Sequence, residues 1–471
     1  MNYFVDTIQT FQWFFLFYFI AVSSGYLLLN VLSFFSMRRY LDSNILGDLP
    51  RAYSDFKPPI SLLVPAYNEE STIVASIHSL LQLSYYEYEI IIINDGSKDG
   101  TLAALQREFD LIPFAEAYWK KLPTKPERGI WRSTRHPNLR VIDKENGGKA
   151  DALNVGINAA RYPLFCAVDA DSILQRDSLQ LIVNPFIEDA HTIAAGGTIR
   201  VVNGCEVSKG FLVSIGLPHK MLALLQIVEY LRAFLFGRLG WSPINAMLVI
   251  SGAFGLFRKA SVIEAGGYRT DTVGEDMELV MRLHRLHREK GIPYRIVFVP
   301  NPLCWTEVPE TLRVLKSQRM RWQRGLSESL VMNIGMLFDR RSGWVGWLAF
   351  PFTVLFEWFG PVIEVCGYLF MILGFIFGII SLPAFLVFTL VAIVLGILLS
   401  ISALMLEEMS FHLYQRRRQF AVLLFMAVFE NLGYRRLVML WRLKGLVYWL
   451  IGVKAKWGTM TRSASWQQRK P

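Results

Sequence analysis

The sequence predicts an α/β domain, with helices on both faces of a mostly parallel sheet, set between membrane-spanning and interfacial helices. Three observations carry this. Short apolar runs end in polar turns and lead into helical patterns, the alternation that a buried parallel sheet requires. Charge is segregated along the 471 residues: 53% are hydrophobic and 19% charged, with mean hydropathy +0.32. That is too apolar for an ordinary soluble chain and too charged for one wholly in lipid. Polar and acidic residues also gather at the carboxyl ends of the apolar runs, where such sheets bind ligands.

Taken in order, Thr7 to Met37 carries no charge and is followed at once by Arg38 and Arg39. A bilayer-crossing helix needs about 20 apolar residues, so residues 1–40 are read as an N-terminal transmembrane helix. Asp6 precedes the run and the basic pair follows it, which argues against a signal peptide. The same pair places the N-terminus outside and the next domain in the cytoplasm.

Residues 58–340 form that domain. Ile60 to Val64 reads as a strand ending near Asn68-Glu69-Glu70, and Ile90 to Ile93 as a strand ending in Asn94-Asp95-Gly96-Ser97. Leu139 to Ile142 leads through Gly147-Gly148-Lys149 into a helix that ends about Ala160. Leu164 to Val168 ends in Asp169-Ala170-Asp171. Residues 111–138, broken by prolines and carrying Lys120-Lys121, read as a surface excursion.

Beyond this domain, residues 341–364 read as an interfacial helix, because Trp344 to Phe356 is apolar but bounded by Arg341 and Glu357. Residues 365–406 are uncharged and interrupted by Ser381-Leu382-Pro383, which predicts a transmembrane hairpin. Residues 407–471 are basic and mixed with apolar and aromatic positions, which suits an anionic cytoplasmic leaflet. The topology of 420–452 stays open between crossing and lying on the surface.

The formal charge of +10 suits nucleic acid, anionic lipid or phosphorylated substrates. Basic residues concentrate beside the membrane segments and no nucleic-acid module is recognisable, so a nucleic-acid partner is not expected. Cys166, Cys205, Cys304 and Cys366 are far apart and form no metal or disulfide pattern.

Asp169 and Asp171, one residue apart at a strand end, repel each other unless a cation lies between them. Mg²⁺ or Mn²⁺ favours such oxygen ligands together with substrate phosphates. An isolated Asp-x-Asp is more often a turn. Its value here comes from convergence with Asn68, Glu69, Asp95 and Lys149, all at or just after the same sheet edge.

Six motifs then appear in order: Pro65-Ala66-Tyr67-Asn68-Glu69-Glu70, Asn94-Asp95-Gly96-Ser97, Gly148 to Asn154, Asp169-Ala170-Asp171, Gly274-Glu275-Asp276 and Gln318-Arg319-Met320-Arg321-Trp322. The ordered set, over roughly residues 58 to 325, resembles the membrane-embedded family-2 glycosyltransferases that make cellulose, chitin, hyaluronan and poly-N-acetylglucosamine. The resemblance implies a GT-A-type fold, a UDP-sugar donor, and inverting, processive transfer to a polysaccharide at the cytoplasmic face of the membrane. It implies Asp171, with Asp169, as ligands of Mg²⁺ or Mn²⁺. Asn68, Glu69, Asp95, Lys149 and Asp169 would line the donor site.

Asp276 is the expected general base, its pKa raised by repulsion from Glu275. Gln318, Arg321 and Trp322 share a helical face and would contact the diphosphate and acceptor. Ser251 to Gly255 resembles an acceptor-lining segment, with a flexible loop as the alternative. His284 and His287, among Arg282, Arg285 and Arg288, read as a solvated helix face. Trp457 to Arg462 resembles a tail motif of bacterial relatives.

An alternative is single transfer to a lipid acceptor, as in ceramide glucosyltransferases, which carry the same Gln-x-x-Arg-Trp pattern. A non-catalytic membrane scaffold is disfavoured because every acidic motif position is filled. With three expected crossings, secretion of a polymer would call for a homo-oligomer or a partner subunit. Neither the sugar nor the linkage is readable.

Overall fold

The computed structural model describes residues 2–46, 57–208 and 210–453. Trp457 to Arg462 therefore lies outside the described residues, as does the rest of the tail beyond residue 453.

The strands are β1 (Ile60–Ala66), β2 (Tyr88–Asn94), β3 (Leu111–Pro113), β4 (Glu127–Ser133), β5 (Leu139–Lys144), β6 (Leu164–Val168), β7 (Ile173–Leu174), β8 (Thr192–Val201), β9 (Glu206–Ser208), β10 (Phe211–Ser214), β11 (Phe254–Arg258) and β12 (Arg295–Thr306). Ten of them form one sheet in the order β3-β4-β5-β2-β1-β6-β11-β8-β12-β7, while β9 and β10 pair separately. β5, β2, β1 and β6 are parallel neighbours; β11 runs antiparallel between β6 and β8; β8 and β12 are parallel again. The predicted mostly parallel α/β sheet is thus present, with one reversed strand at its centre.

The central strands are β-branched and apolar, and Ile90 to Ile93 and Leu62 to Val64 are fully buried. Such runs hold a strand only when both faces are covered. The helix Lys149–Ala159 covers β1 and β2 so closely that a Cβ on Gly156 would stand 3.0 Å from Ile93 and Leu63. The helix Ser178–Glu188 packs on β8 and β12.

Residues 111–138 are not a surface excursion. β3 and β4 extend the sheet antiparallel from β5. The segment between them folds back over the helix Lys149–Ala159, where Asn158 accepts from the amides of Lys121 and Leu122 and Asp151 accepts from that of Lys125. Buried Arg140 ties this segment to the sheet through Glu116 at 2.5 Å and Glu89 at 2.6 Å. His284 and His287 are also misread as solvated. Both are buried, and His284 bridges the Tyr294 hydroxyl and the Met247 carbonyl. Burial pulls the His284 pKa down to about 4, which suits a neutral structural imidazole.

The first helix, Asn2–Leu46, contains an apolar stretch from Thr7 to Asp42 long enough to cross a bilayer, and Leu382–Ser410 is a second such helix. The predicted hairpin has Leu382–Ser410 as its second arm, but its first arm, Gly360–Ile376, has 17 residues. That arm continues a bent pair with Val345–Trp358, at 46°, which makes a third span if the two cross together. The expected interfacial helix over Trp344 to Phe356 is the first half of that pair. Two π-helical turns, Val345–Ala349 and Thr353–Trp358, lie within it.

The basic segment after residue 416 forms the helices Arg417–Phe429 and Tyr434–Leu450. Its arginines do not all face a lipid surface. Arg442 pairs with Glu357 at 2.9 Å, and Arg435 bonds Asn431. Gly445 lies against the helix Leu312–Met332, where a Cβ would come within 2.8 Å of the Met320 carbonyl oxygen.

Candidate active site

The carboxyl ends of β1 and β2 are joined by side chains. Asn68 takes a left-handed conformation (φ 56°), its amide donates to Ser97 Oγ and its Oδ1 accepts from the Lys98 amide. The Glu69 amide donates to Thr101 Oγ1, and its carboxylate accepts from Thr72 Oγ1 at 2.7 Å. Asp95 is buried, and its carboxylate accepts from Lys144 Nζ at 2.6 Å and from the amides of Gly147 and Gly148 at 2.9 and 2.7 Å. Its direct work is to shape the turn that delivers Lys149. Gly148, at φ 88°, is a conformation that a side chain would strain.

Lys149 opens its helix and aims at the end of β6. Its Nζ donates to Asp169 Oδ1 at 2.5 Å and to the Gly252 carbonyl oxygen at 3.2 Å. The amide of the same glycine donates to Asp276 Oδ2 at 3.0 Å, while the Met277 amide holds Asp276 Oδ1 at 2.8 Å. One residue therefore links the Asp-x-Asp end of the site to the expected base. A Cβ on Gly252 would stand 2.9 Å from Lys149 Nζ, so the segment Ser251 to Gly255 is a packed junction here. Burial works against the Lys149 ammonium, yet Asp169, Glu275 and Asp276 hold its pKa above the ordinary lysine value.

Glu275 and Asp276 begin the helix Glu275–Glu289, whose start is wedged against the helix Leu312–Met332. A Cβ on Gly274 would meet the Gly325 backbone at 2.7 Å. Burial lifts the Glu275 pKa to about 7, with Lys149 opposing and Asp276 adding to the rise.

A carboxyl raised in this way favours the fold when protonated. Its contribution is full below its ordinary value of 4.5 and is lost as pH rises to about 7. Glu275→Gln copies the neutral form. The unfolding midpoint of the wild type relative to this variant should fall as pH rises across that window, by on the order of 3 kcal/mol in stability. An offset that stays constant with pH would refute the assignment.

Gln318, Arg321 and Trp322 lie on the helix Leu312–Met332, as their spacing predicts. Arg321 brings positive charge near Glu275. Trp322 is half-exposed, with its indole under the Arg319 guanidinium at 4.2 Å.

Arg319, read from the sequence only as one of several basic residues on an interfacial face, is buried. It pairs with Glu229 at 2.7 Å and donates to Gln318 Oε1 at 2.8 Å, and Tyr434 donates to the same Glu229 oxygen at 2.7 Å. Glu229 belongs to the helix Met221–Tyr230, which continues through a π-helical turn, Leu231–Phe236, into Gly237–Trp241. No motif in the sequence marks this element. An acid among apolar residues, 90 residues away from its arginine, is a signal only once a partner is known.

Among the described residues, no group of three or more His, Cys, Asp or Glu side chains gathers as a closed metal cage. Two carboxylates at the end of β6 fit a hard cation that keeps places for phosphate oxygens and water. Asp169 is also paired with Lys149 at 2.5 Å.

Residues 164–406, just over half of the chain, match the family model described as "Glycosyl transferase family group 2", and residues 61–261 match "Glycosyl transferase family 2". The chain belongs to the family-2 glycosyltransferases. Within that family the transferase is 34% identical over 275 residues to a poly-beta-1,6-N-acetyl-D-glucosamine synthase of Staphylococcus aureus strain COL, and 32% identical over 273 residues to one of Staphylococcus epidermidis. Each match covers 58% of the transferase and 55% of the relative, so the transferase spans about half the length of these curated relatives. A mannosyltransferase from Pyrobaculum calidifontis, solved with GDP-Man and Mn²⁺, shares its fold. The TM-score is 0.54 and the identity 18%, over 89% of the transferase and 99% of that protein.

Proposed function

We propose that this transferase moves a sugar from a UDP-sugar, with inversion, onto the end of a growing polysaccharide at the cytoplasmic face of the membrane, repeatedly and without releasing the chain. N-acetylglucosamine is the sugar that the staphylococcal relatives favour. The observation that carries the reading is the Asp169–Lys149–Gly252–Asp276 chain of hydrogen bonds. It holds an anion-binding end and a proton-accepting end side by side, the two things that displacement of a nucleoside diphosphate by a hydroxyl requires.

In this reading Asp276 accepts the proton of the attacking hydroxyl, its carboxylate held by the Gly252 and Met277 amides. Lys149 and Arg321 lower the cost of charge on the departing diphosphate. Asp95 fixes the Gly147-Gly148 turn beside the donor, and Asn68 and Glu69 close the loop ends around it. Asp171 with Asp169 would hold Mg²⁺ or Mn²⁺, which when bound acts as a Lewis acid on the diphosphate. Gln318 and Trp322 face the acceptor, the indole offering a flat apolar platform to a sugar ring. One base at the reaction centre fits single displacement, hence inversion. The apolar helices would carry the polymer outward, alone, as a homo-oligomer or with a secretion partner.

Incubating the purified protein with each UDP-sugar in turn and measuring UDP release, then product size, tests the proposal. Long products from one donor support it. A single sugar on lipid would replace it with the lipid-acceptor reaction, and no UDP release from any donor would refute it. Asp171→Asn should lose Mn²⁺-dependent UDP binding by calorimetry, roughly 10- to 100-fold in affinity for loss of one charged ligand contact. Undiminished binding would remove Asp171 from the metal site.

A further inference from the structure

Arg238 is a buried charge that the transfer reaction, as described so far, does not use. It is 6% exposed, and its Nη1 is buried without a hydrogen-bond partner among the described residues. Leaving such a donor unsatisfied costs the fold about 1–3 kcal/mol, more for a charged group. A buried polar group without a partner calls for an explanation, such as a water, an ion, strain or a functional role.

The surroundings say which ligand. The Arg238 guanidinium lies over the Phe234 ring, 4.3 Å from its centre. The Phe234 ring is 4.5 Å from that of Tyr230 and 6.5 Å from that of Trp322. Tyr230, Phe234 and Arg238 therefore form a stripe along one continuous helical run, beside the indole of the Gln-x-x-Arg-Trp helix. Tyr230 feels the charge of Asp171 at one end, and Arg238 that of Asp276 at the other. Burial lowers the Arg238 pKa to about 10, with Asp276 opposing the fall, so the group stays cationic at neutral pH. The π-helical turn Leu231–Phe236 sits within the stripe, and such turns often mark functional sites.

We propose that Arg238 is an acceptor-binding residue, donating from its guanidinium to an oxygen of the saccharide whose hydroxyl faces Asp276. A guanidinium has donors only, so its ligand must supply oxygen lone pairs. Both an acceptor sugar and the donor diphosphate could do so. The aromatic neighbours favour the sugar: rings take its apolar face while a stacked arginine bonds its rim. Lys149 already serves the Asp169 end.

This rests on the transfer reaction proposed above, and the test separates the two. Full-length wild-type protein is first assayed against the panel of UDP-sugars, so a wrong donor assignment shows itself in the wild type. With the donor that the wild type uses, Arg238→Met and Arg238→Lys are compared, varying a soluble β-linked N-acetylglucosamine oligosaccharide and then the donor. The acceptor KM should rise roughly 10- to 100-fold in Arg238→Met. Arg238→Lys should show a smaller rise, and the donor KM should hold in both.

An unchanged acceptor KM would overturn the proposal. A rise in donor KM instead would move Arg238 to the diphosphate. A fall in unfolding midpoint shared by both variants, with parallel loss of every activity, would make the residue structural and equally overturn it.

Discussion

Asp276→Asn should abolish sugar transfer while leaving Mn²⁺-dependent UDP binding in place. A positioned base contributes roughly 10²- to 10⁴-fold to a rate, so turnover should fall by that factor, with the donor affinity unchanged. The substitution is nearly isosteric but not silent. Both carboxylate oxygens accept a backbone amide, from Gly252 and from Met277, and an asparagine has one acceptor oxygen. One of these amides loses its partner, at a cost of about 1–3 kcal/mol.

The unfolding midpoint should therefore drop modestly, and UDP binding by calorimetry shows whether the site survives. Asp276→Glu keeps the charge but displaces it from the Gly252 amide, and should also be slow. Retained polymer synthesis in Asp276→Asn would remove the residue from the role of base. Loss of UDP binding together with transfer would show instead that it holds the donor.

How much of this was legible beforehand depended on the kind of signal. The β1, β2, β5 and β6 strands announced themselves because runs such as Ile90 to Ile93 are apolar, short and bounded by turn residues. The residues at their ends followed from topology alone, since parallel strands put their carboxyl ends on one edge. β3 and β4 did not announce themselves. β3 is a three-residue edge strand ending in Pro113, β4 beside it is half-buried and carries charges, and the segment is held by Arg140 with Glu89 and Glu116. A buried ion pair between distant residues has no periodicity to detect.

The site divides in the same way. Asp169, Asp171, Asp276 and Trp322 lie in short local motifs, whose spacing survives in one dimension. Gly252 does its work through its backbone, and its place between Lys149 and Asp276 emerges only when β6, β11 and the helix Glu275–Glu289 are assembled. Arg238 is harder still. Its spacing from Tyr230 and Phe234 puts the three on one helical face, but an arginine on such a face reads as surface charge until its burial is seen. In the C-terminal region, composition misled: Arg435 and Arg442 look like surface charge, but the helix Tyr434–Leu450 turns them toward Asn431 and Glu357.

Arg319 supplies the second large effect, and one in which stability and activity should come apart. Its guanidinium is buried between Glu229, Gln318 and the Trp322 ring. Burial works against the Glu229 carboxylate, but Arg319 and Tyr434 hold its pKa below the usual range, so the pair is ionised at neutral pH. Removing one partner of a buried pair strands the other charge. Glu229→Leu should accordingly destabilise by about 3–5 kcal/mol, and Arg319→Met by a similar amount, because Glu229 then keeps its hydrogen bond from Tyr434 but loses its paired cation.

The double variant leaves no stranded charge. An apolar pair of similar volume often matches a buried ion pair in stability, so its unfolding midpoint should return most of the way to wild type. Activity should not return with it. Gln318 has lost the donor that orients its amide, and Trp322 the cation that fixes its ring, so UDP release in the presence of acceptor should stay low. Recovery of both midpoint and turnover would mean that Arg319 only balances Glu229. Recovery of the midpoint alone would identify the buried pair as the support on which the Gln318–Trp322 face is held against the acceptor.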